Sequence, residues 1–165
     1  MKTDAFIGLG SNLKEPAAQL ARAVAELAAL PKTTLVAQSP FYTSSPVGPQ
    51  DQPDFVNGAA WISTELGPHA LLDQLQAIEQ AHGRERLQHW GPRTLDLDLL
   101  IFGNHKLDDE RLTVPHRELH NRDFALQPLL DLKPDLTLPG GAEIATLRAQ
   151  CPDNRLRKLP PPDYP

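Results

Sequence analysis

The sequence predicts a single α+β domain with a ferredoxin-like βαββαβ core, followed by an additional C-terminal strand and helices. Three observations carry this prediction. Two apolar stripes at helical spacing, Leu20–Ala23–Val24–Leu27–Leu30 and Leu71–Leu75–Ile78, each follow a proline suited to a first helical turn. Strand-like runs flank both stripes in the order the fold requires. The chain has 165 residues and no internal repeat, which suits one core within the usual domain size of roughly 50–200 residues.

The elements follow in order. "DAFIGL" (4–9) reads as a short strand, and "GSNL" after it reads as a turn. Pro16 opens a helix that the apolar spacing carries to about Leu30. "TTLVAQSPFY" is β-rich, with Pro40 marking an edge or a bend. Residues 43–54, "TSSPVGPQDQPD", hold three prolines and a glycine and read as an exposed loop. "FVNGAAWIST" is the next strand, with Phe55, Asn57, Ala59 and Trp61 on one face and Val56, Ala60 and Ile62 on the other. Pro68 opens a second helix whose core stripe reaches His82, with Leu72, Gln76 and Glu79 as a neighbouring row and Gly83 ending it. A second loop covers 83–93, and an acidic-apolar strand follows. "GNHKLDDERLTVPH" suggests a turn and a further strand, while "DFALQPLLDL" and "EIATLRAQ" are helical candidates. The organisation is one domain over residues 1–159 and a Pro-rich tail, 160–165, at the end of "LPPPDYP".

The composition is 40% hydrophobic and 22% charged, which is that of an ordinary globular protein. No apolar run approaches the roughly 18–20 residues that cross a bilayer, and "MKTDAFIGLG" lacks a signal-peptide pattern. Cys151 is the only cysteine, so a reducing cytoplasm is the expected location. A formal charge of −5 argues against nucleic acid or an anionic membrane as partner. Small-molecule substrates and a monomer are expected. Charge is not evenly spread, however: six of the ten arginines, Arg84, Arg86, Arg93, Arg111, Arg117 and Arg122, lie between residues 84 and 122. Such clustering favours an anion site, since the guanidinium fork matches phosphate, although a solvated charged surface is the plainer cause.

The chemistry concentrates in "WGPRTLDLDLLIFG", residues 90–103. Alternation places Leu95, Leu97 and Leu99 on one face and Asp96, Asp98 and Leu100 on the other. Next-but-one residues of a strand are roughly 6.6 Å apart, close enough for two carboxylates to share one cation or hold two. Magnesium commonly takes one or two carboxylates with waters and substrate phosphates. Without a cation two such carboxylates repel, unless the strand is an edge with its polar face in water. Trp90 and Arg93 just before the pair add a stacking surface and a phosphate ligand. "GLGSN" lacks both the third glycine of a dinucleotide fingerprint and the Gly-Lys-Ser/Thr of a P-loop. His69, His82, His89 and His105 read as surface or capping residues, Cys151 lies in a polar stretch, and His116 with Arg122 could donate to a phosphate.

Together these motifs resemble those of the 6-hydroxymethyl-7,8-dihydropterin pyrophosphokinases, a folate-pathway family. The resemblance rests on "HWGPRTLDLDLL", "GLGSNL", "SPFYTSSPVGPQDQPDFVNGAA", "IEQAHGRER" and "ERLTVPHRELHNRDFALQPL", and it spans about residues 5–131. It implies transfer of the terminal diphosphate of ATP to the hydroxymethyl group of the dihydropterin, releasing AMP. It further implies two magnesium ions with ATP, held by Asp96 and Asp98, with Arg84 and Arg93 as further catalytic residues. Nucleotide contacts would come from Gln76, Glu79, Arg84, Arg86, Arg93, Arg111, Thr113, His116 and Arg122. The pterin would meet Asn57 at its polar edge, Phe55, Phe124 and Trp90 around its ring, and main-chain atoms near Ser44, Ser45 and Val47.

Several of these residues have plainer readings too. Phe124 could be core, Glu79 a surface helix residue, and Arg111 a partner of Asp109 or Glu110. The chain also departs from the family: its second loop is about a residue short, with no lysine between Arg86 and Trp90. Phe55 stands where a tyrosine is common, and Arg117 and Asp123 replace residues that are more often aromatic and small. The alternatives are a non-catalytic ATP-sensing ferredoxin-like module and another magnesium-dependent nucleotidyltransferase.

Overall fold

The computed structural model describes residues 2–12, 15–44, 55–83, 95–152 and 156–159. Its elements are β1 (Thr3–Ser11), α1 (Pro16–Ala28), β2 (Thr33–Gln38), β3 (Tyr42–Ser44), β4 (Phe55–Thr64), α2 (Pro68–Ala81), β5 (Asp96–Phe102), β6 (Leu107–Asp108), β7 (Thr113–Val114), α3 (Asp123–Leu132), α4 (Ile144–Gln150) and β8 (Arg157–Lys158). The main sheet runs β5–β1–β4–β3–β8, with β2 pairing the other end of β4. With β2 and β3 taken as one interrupted strand, this is the antiparallel sheet of the βαββαβ plan.

The two helical stripes bury as their spacing requires. Leu20, Ala23, Val24 and Leu27 of α1 and Leu71, Leu75 and Ile78 of α2 join Ile7, Val56, Ala60, Ile62, Leu97 and Leu99 in one cluster. A second cluster on the opposite side of the sheet gathers Phe6, Ala59, Leu100, Ile101, Leu126 and Leu129. The sheet is therefore covered on both sides, with α1 and α2 on one and α3 and α4 on the other. Each fully buried leucine of these layers contributes about 1.5–3 kcal/mol relative to exposure.

Several sequence expectations need correction. β1 does not turn at "GSNL"; it continues through Gly10 to Ser11, because β4 and β5 both pair with it there. Strand pairing on two sides outweighs the local turn preference of Gly-Ser-Asn. The β-rich run 33–42 breaks at Ser39–Phe41, where Pro40 lacks a ladder donor, and resumes as β3, which takes Thr43 and Ser44 from the expected loop. Ser39 spans the break: its amide donates to the Ala59 carbonyl at 2.9 Å and its hydroxyl accepts from the Ala59 amide at 2.9 Å. α1 stops at Ala28, two residues early, and the expected turn-plus-strand after Gly103 is the short β6–β7 hairpin.

The described chain reaches Leu159, and the expected tail, 160–165, lies outside the described residues. Arg157 and Lys158 pair with β3, and Leu159 packs partly against the first cluster. Of the two readings of His82, surface or capping, the second holds: it is the C-cap of α2, and its side chain is 4% exposed and bridges Glu26 and Gln19 of α1. His69 meets Asp109 at 2.7 Å, and His105 lies edge-on to Phe102. Cys151 is buried, and burial, with Asp123 adding to it, pushes its thiol above the usual range. No helix among the described residues is long and apolar enough to cross a membrane.

Candidate active site

Register builds the site before any side chain is considered. Gly10 of β1 pairs with Asp96 of β5 on one side and Asn57 of β4 on the other, and Asn57 pairs in turn with Tyr42 of β3. Directly opposed residues share a face, so Asp96, Gly10, Asn57 and Tyr42 form one row across four strands. One row further, Asp98 faces Gly8 and Gly8 faces Ala59. With strands about 4.8 Å apart, the backbones bearing Asp96 and Asn57 stand roughly 10 Å from each other. Glycine and alanine leave the floor between them low. A Cβ placed on Gly10 would lie 3.0 Å from Asn57 Nδ2, so the amide occupies the space that a side chain there would need.

Asp96 and Asp98 point to the same half-exposed face, as alternation requires, while Leu95, Leu97 and Leu99 are buried on the other. A bulge between Phe6 and Ile7 then ends the alternation, so that Leu100 and Ile101 both join the α3-side cluster. β5 is the terminal strand of the sheet, and its outer edge is not left bare. Glu79 of α2 is 5% exposed, and its Oε2 accepts the Leu97 amide at 2.8 Å. Glu79 thus grips the backbone between the two aspartates. The helical row of Gln76 and Glu79 therefore splits: Gln76 is exposed, and Glu79 turns inward rather than lying on the surface.

At the Asn57 end of the row, Ser44 and Asn57 are both buried, and the Ser44 hydroxyl donates to Asn57 Oδ1 at 2.7 Å. Occupying that oxygen orients the Asn57 amide, with Nδ2 towards Gly10. Phe55 is half-buried on the same face. Phe124 begins α3, and the Arg122 guanidinium lies 5.8 Å from the centre of its ring. Arg122 also reaches Asp98, Nη1 to Oδ2, at 3.7 Å, with both side chains partly in solvent.

His116 follows the cis Val114–Pro115 bond, and its amide donates to the Leu100 carbonyl at 2.8 Å. Its Nδ1 accepts the Glu118 amide at 3.1 Å, so the neutral ring carries its proton on Nε2. Burial holds His116 below its usual value; Asp98 opposes this and Arg122 adds to it. Thr113 donates to Asp108 at 3.1 Å, and exposed Arg117 lies 3.5 Å from both. Arg111 does not pair through its guanidinium with Asp109 or Glu110; it reaches Asp73 at 2.6 Å and Gln76 at 3.4 Å, while its amide donates to Asp109.

Among the described residues, then, Asp96, Asp98, His116, Arg122, Phe124, Asn57 and Ser44 belong to one side of the sheet. Gln76, Arg111 and Thr113 lie at its outer margin with α2 and the β6–β7 hairpin. Ser45, Val47, Arg84, Arg86, Trp90 and Arg93 lie outside the described residues. Residues that the sequence did not single out are Gly10, whose lack of a side chain leaves the floor open, and Asp73, the partner of Arg111. Gly10 has a visible signal, but "GSNL" reads as a turn from local composition; Asp73 has none. No cluster of three or more His, Cys, Asp or Glu groups capable of holding a metal occurs among the described residues. Two half-exposed carboxylates above a glycine floor fit an ion that takes most of its ligands from water and phosphate, and magnesium is such an ion.

Comparison with known proteins shows the family and the fold. Residues 6–134 match the family model described as 7,8-dihydro-6-hydroxymethylpterin-pyrophosphokinase. A Haemophilus influenzae protein named 2-amino-4-hydroxy-6-hydroxymethyldihydropteridine pyrophosphokinase is 51% identical over 157 residues, covering 95% of this chain and 98% of its own. A Pseudomonas aeruginosa protein of the same name is 53% identical over 155 residues, covering 94% and 96%. Among solved structures, a Plasmodium falciparum HPPK-DHPS with pteroate superposes with TM-score 0.71 at 14% identity, over 91% of this chain and 42% of that one. An HPPK-DHPS in complex with substrates gives 0.68 at 13% identity over 90% and 43%. These two show the fold, and this chain spans less than half of each.

Proposed function

The chain belongs to the 7,8-dihydro-6-hydroxymethylpterin pyrophosphokinase family, and from that premise we propose how its residues divide the work. The enzyme transfers the diphosphate of ATP to the hydroxymethyl group of the dihydropterin in folate biosynthesis. The β- and γ-phosphates move together, the bond between the α- and β-phosphates breaks, and AMP leaves.

The observation that carries the assignment of residues is the row Asp96–Gly10–Asn57. It places an acidic pair and an amide that can read a heterocycle on one floor, with no side chain between them. Asn57, oriented by Ser44, hydrogen-bonds the pterin's polar edge, and Phe55 and Phe124 hold its ring. Phe55 offers no hydroxyl, so this contact is apolar.

Asp96 and Asp98 hold magnesium ions, which supply charge neutralisation to a triphosphate bearing about four negative charges. Two ions are what the family resemblance implies, since the spacing of the two carboxylates by itself suits one cation or two. Arg122 serves the phosphates from the other side of Asp98. Its 3.7 Å separation from the carboxylate is loose enough to exchange for a phosphate oxygen. His116 donates its Nε2–H to a phosphate oxygen, its Nδ1 being occupied by the Glu118 amide. Arg111, Thr113 and Gln76 meet the nucleoside end, and Glu79 acts through the strand it grips. Arg84, Arg86 and Arg93 add positive charge, and Ser45, Val47 and Trp90 complete the pterin side. Diphosphoryl transfer asks for positioning and charge neutralisation more than for covalent work, and no side chain here is required as a general base.

Incubation with ATP, magnesium and 6-hydroxymethyl-7,8-dihydropterin should produce AMP and the pterin diphosphate in equal amounts. Nucleotide binding with no AMP would identify a sensor instead. Release of pyrophosphate would identify a nucleotidyltransferase.

A further inference from the structure

We propose that Tyr42 is a positioning residue for the pterin subsite: by bonding Asp131 it sets the gap between the strands that carry Ser44 and Asn57 and the helix that carries Phe124. The inference rests on the reading of that pocket given above. β3 is only three residues long, follows the break at Ser39–Phe41, and pairs with β4 on one side and the two-residue β8 on the other, so its pairing spans a short stretch. It nevertheless supplies Ser44, whose hydroxyl orients Asn57.

Tyr42 sits beside Asn57 in register, is 7% exposed, and donates its hydroxyl to Asp131 Oδ2 on α3. Asp131 Oδ1 accepts Gln127 Nε2 at 3.3 Å, and Gln127 Oε1 accepts Arg148 Nε of α4 at 3.2 Å. Arginine has only donors, which fixes the end of Gln127 that faces it and so the direction of every bond back to Tyr42. Phe124, Gln127 and Asp131 stand at i, i+3 and i+7, on one stripe of α3. One stripe thus carries the aromatic ring at one end and the anchor of β3 two turns away. Burial, with Asp131 adding to it, raises the Tyr42 hydroxyl well above its ordinary range, so it remains a donor at every working pH.

This predicts an effect on one substrate only. Tyr42→Phe keeps the ring and removes the bond; it should raise the pterin KM about tenfold, the cost of one charge-assisted hydrogen bond, and leave the nucleotide KM within about twofold. Asp131→Ala should reproduce that shift, and the double variant should add little to either single one. Kinetics are compared below each variant's measured melting temperature, so that loss of folded protein is not read as loss of affinity. A pterin KM within twofold of the parent, or equal rises in both KM values, would overturn the positioning role. Absence of AMP from the parent enzyme would instead overturn the reading of the pocket, and this inference with it.

Discussion

Glu79→Ala distinguishes a residue that acts through the strand from one that touches the nucleotide. In the folded chain Glu79 is 5% exposed, and it accepts the amide of Leu97, itself 5% exposed, at 2.8 Å. A backbone hydrogen bond to a charged group is worth about 1.5–3 kcal/mol, and leaving the buried donor unpaired costs a comparable amount that describes the same loss. Removing the buried γ-methylene adds about 0.8 kcal/mol. The expected loss is therefore about 2–4 kcal/mol of unfolding free energy, with about half of that for Glu79→Gln, which keeps an acceptor. Urea denaturation followed by circular dichroism measures it, and an unchanged slope would show that the unfolded state is not the cause. Activity should fall as well, because the gripped backbone lies between Asp96 and Asp98. A loss below about 1 kcal/mol together with a collapse of nucleotide binding would refute the bracing argument and put the carboxylate on the substrate.

The same strand gives the opposite pattern at its next position. Asp98→Ala should lower diphosphate transfer at least about a hundredfold while changing stability by less than about 1 kcal/mol, since the side chain is half-exposed and its ion pair with Arg122 is screened; AMP release and denaturation measure both. Gly58→Ala should cost about 1–3 kcal/mol, because a Cβ there would stand 2.8 Å from Phe41 Cδ1 in a packed core. A melting temperature unchanged from the parent would show that the ring can move aside. Asp109 is held below its ordinary value of 3.8 by the hydrogen bond from His69 and then by the amides of Arg111 and Leu112. Its folded form binds a proton less readily than the unfolded chain, so its contribution is present above 3.8 and lost as pH falls through the lowered folded value. A carboxyl NMR titration should show that midpoint, and His69→Ala should return it towards 3.8.

Much of the site was legible because its signals are local. The alternation of "LDLDL" forecast two aspartates on one face, and the same rule put Phe55 and Asn57 together on β4. Leu71, Leu75 and Ile78 announced the buried stripe of α2. Glu79 was less legible: its place one step from that stripe fits either solvent or the seam with β5, and only the rotation of the packed helix chose the seam. "GLGSN" misled for a related reason. Its glycines satisfy turn chemistry, and they also suit a strand squeezed between two others where the Asn57 amide fills the space of a side chain. Pairing partners far along the chain settled which use prevailed.

From the sequence alone came the periods of two and 3.6, the prolines that open the helices, the acidic pair and the arginines clustered in the same third of the chain. Those are properties of neighbouring residues, because side-chain direction along a strand or helix follows from backbone geometry. Only the tertiary structure decided that Gly10 separates Asp96 from Asn57, that Glu79 clamps Leu97, and that Tyr42 meets Asp131 across 89 positions of chain. Register between strands and the rotation of a helix on a sheet are set by packing the whole core at once, and no local pattern contains that information.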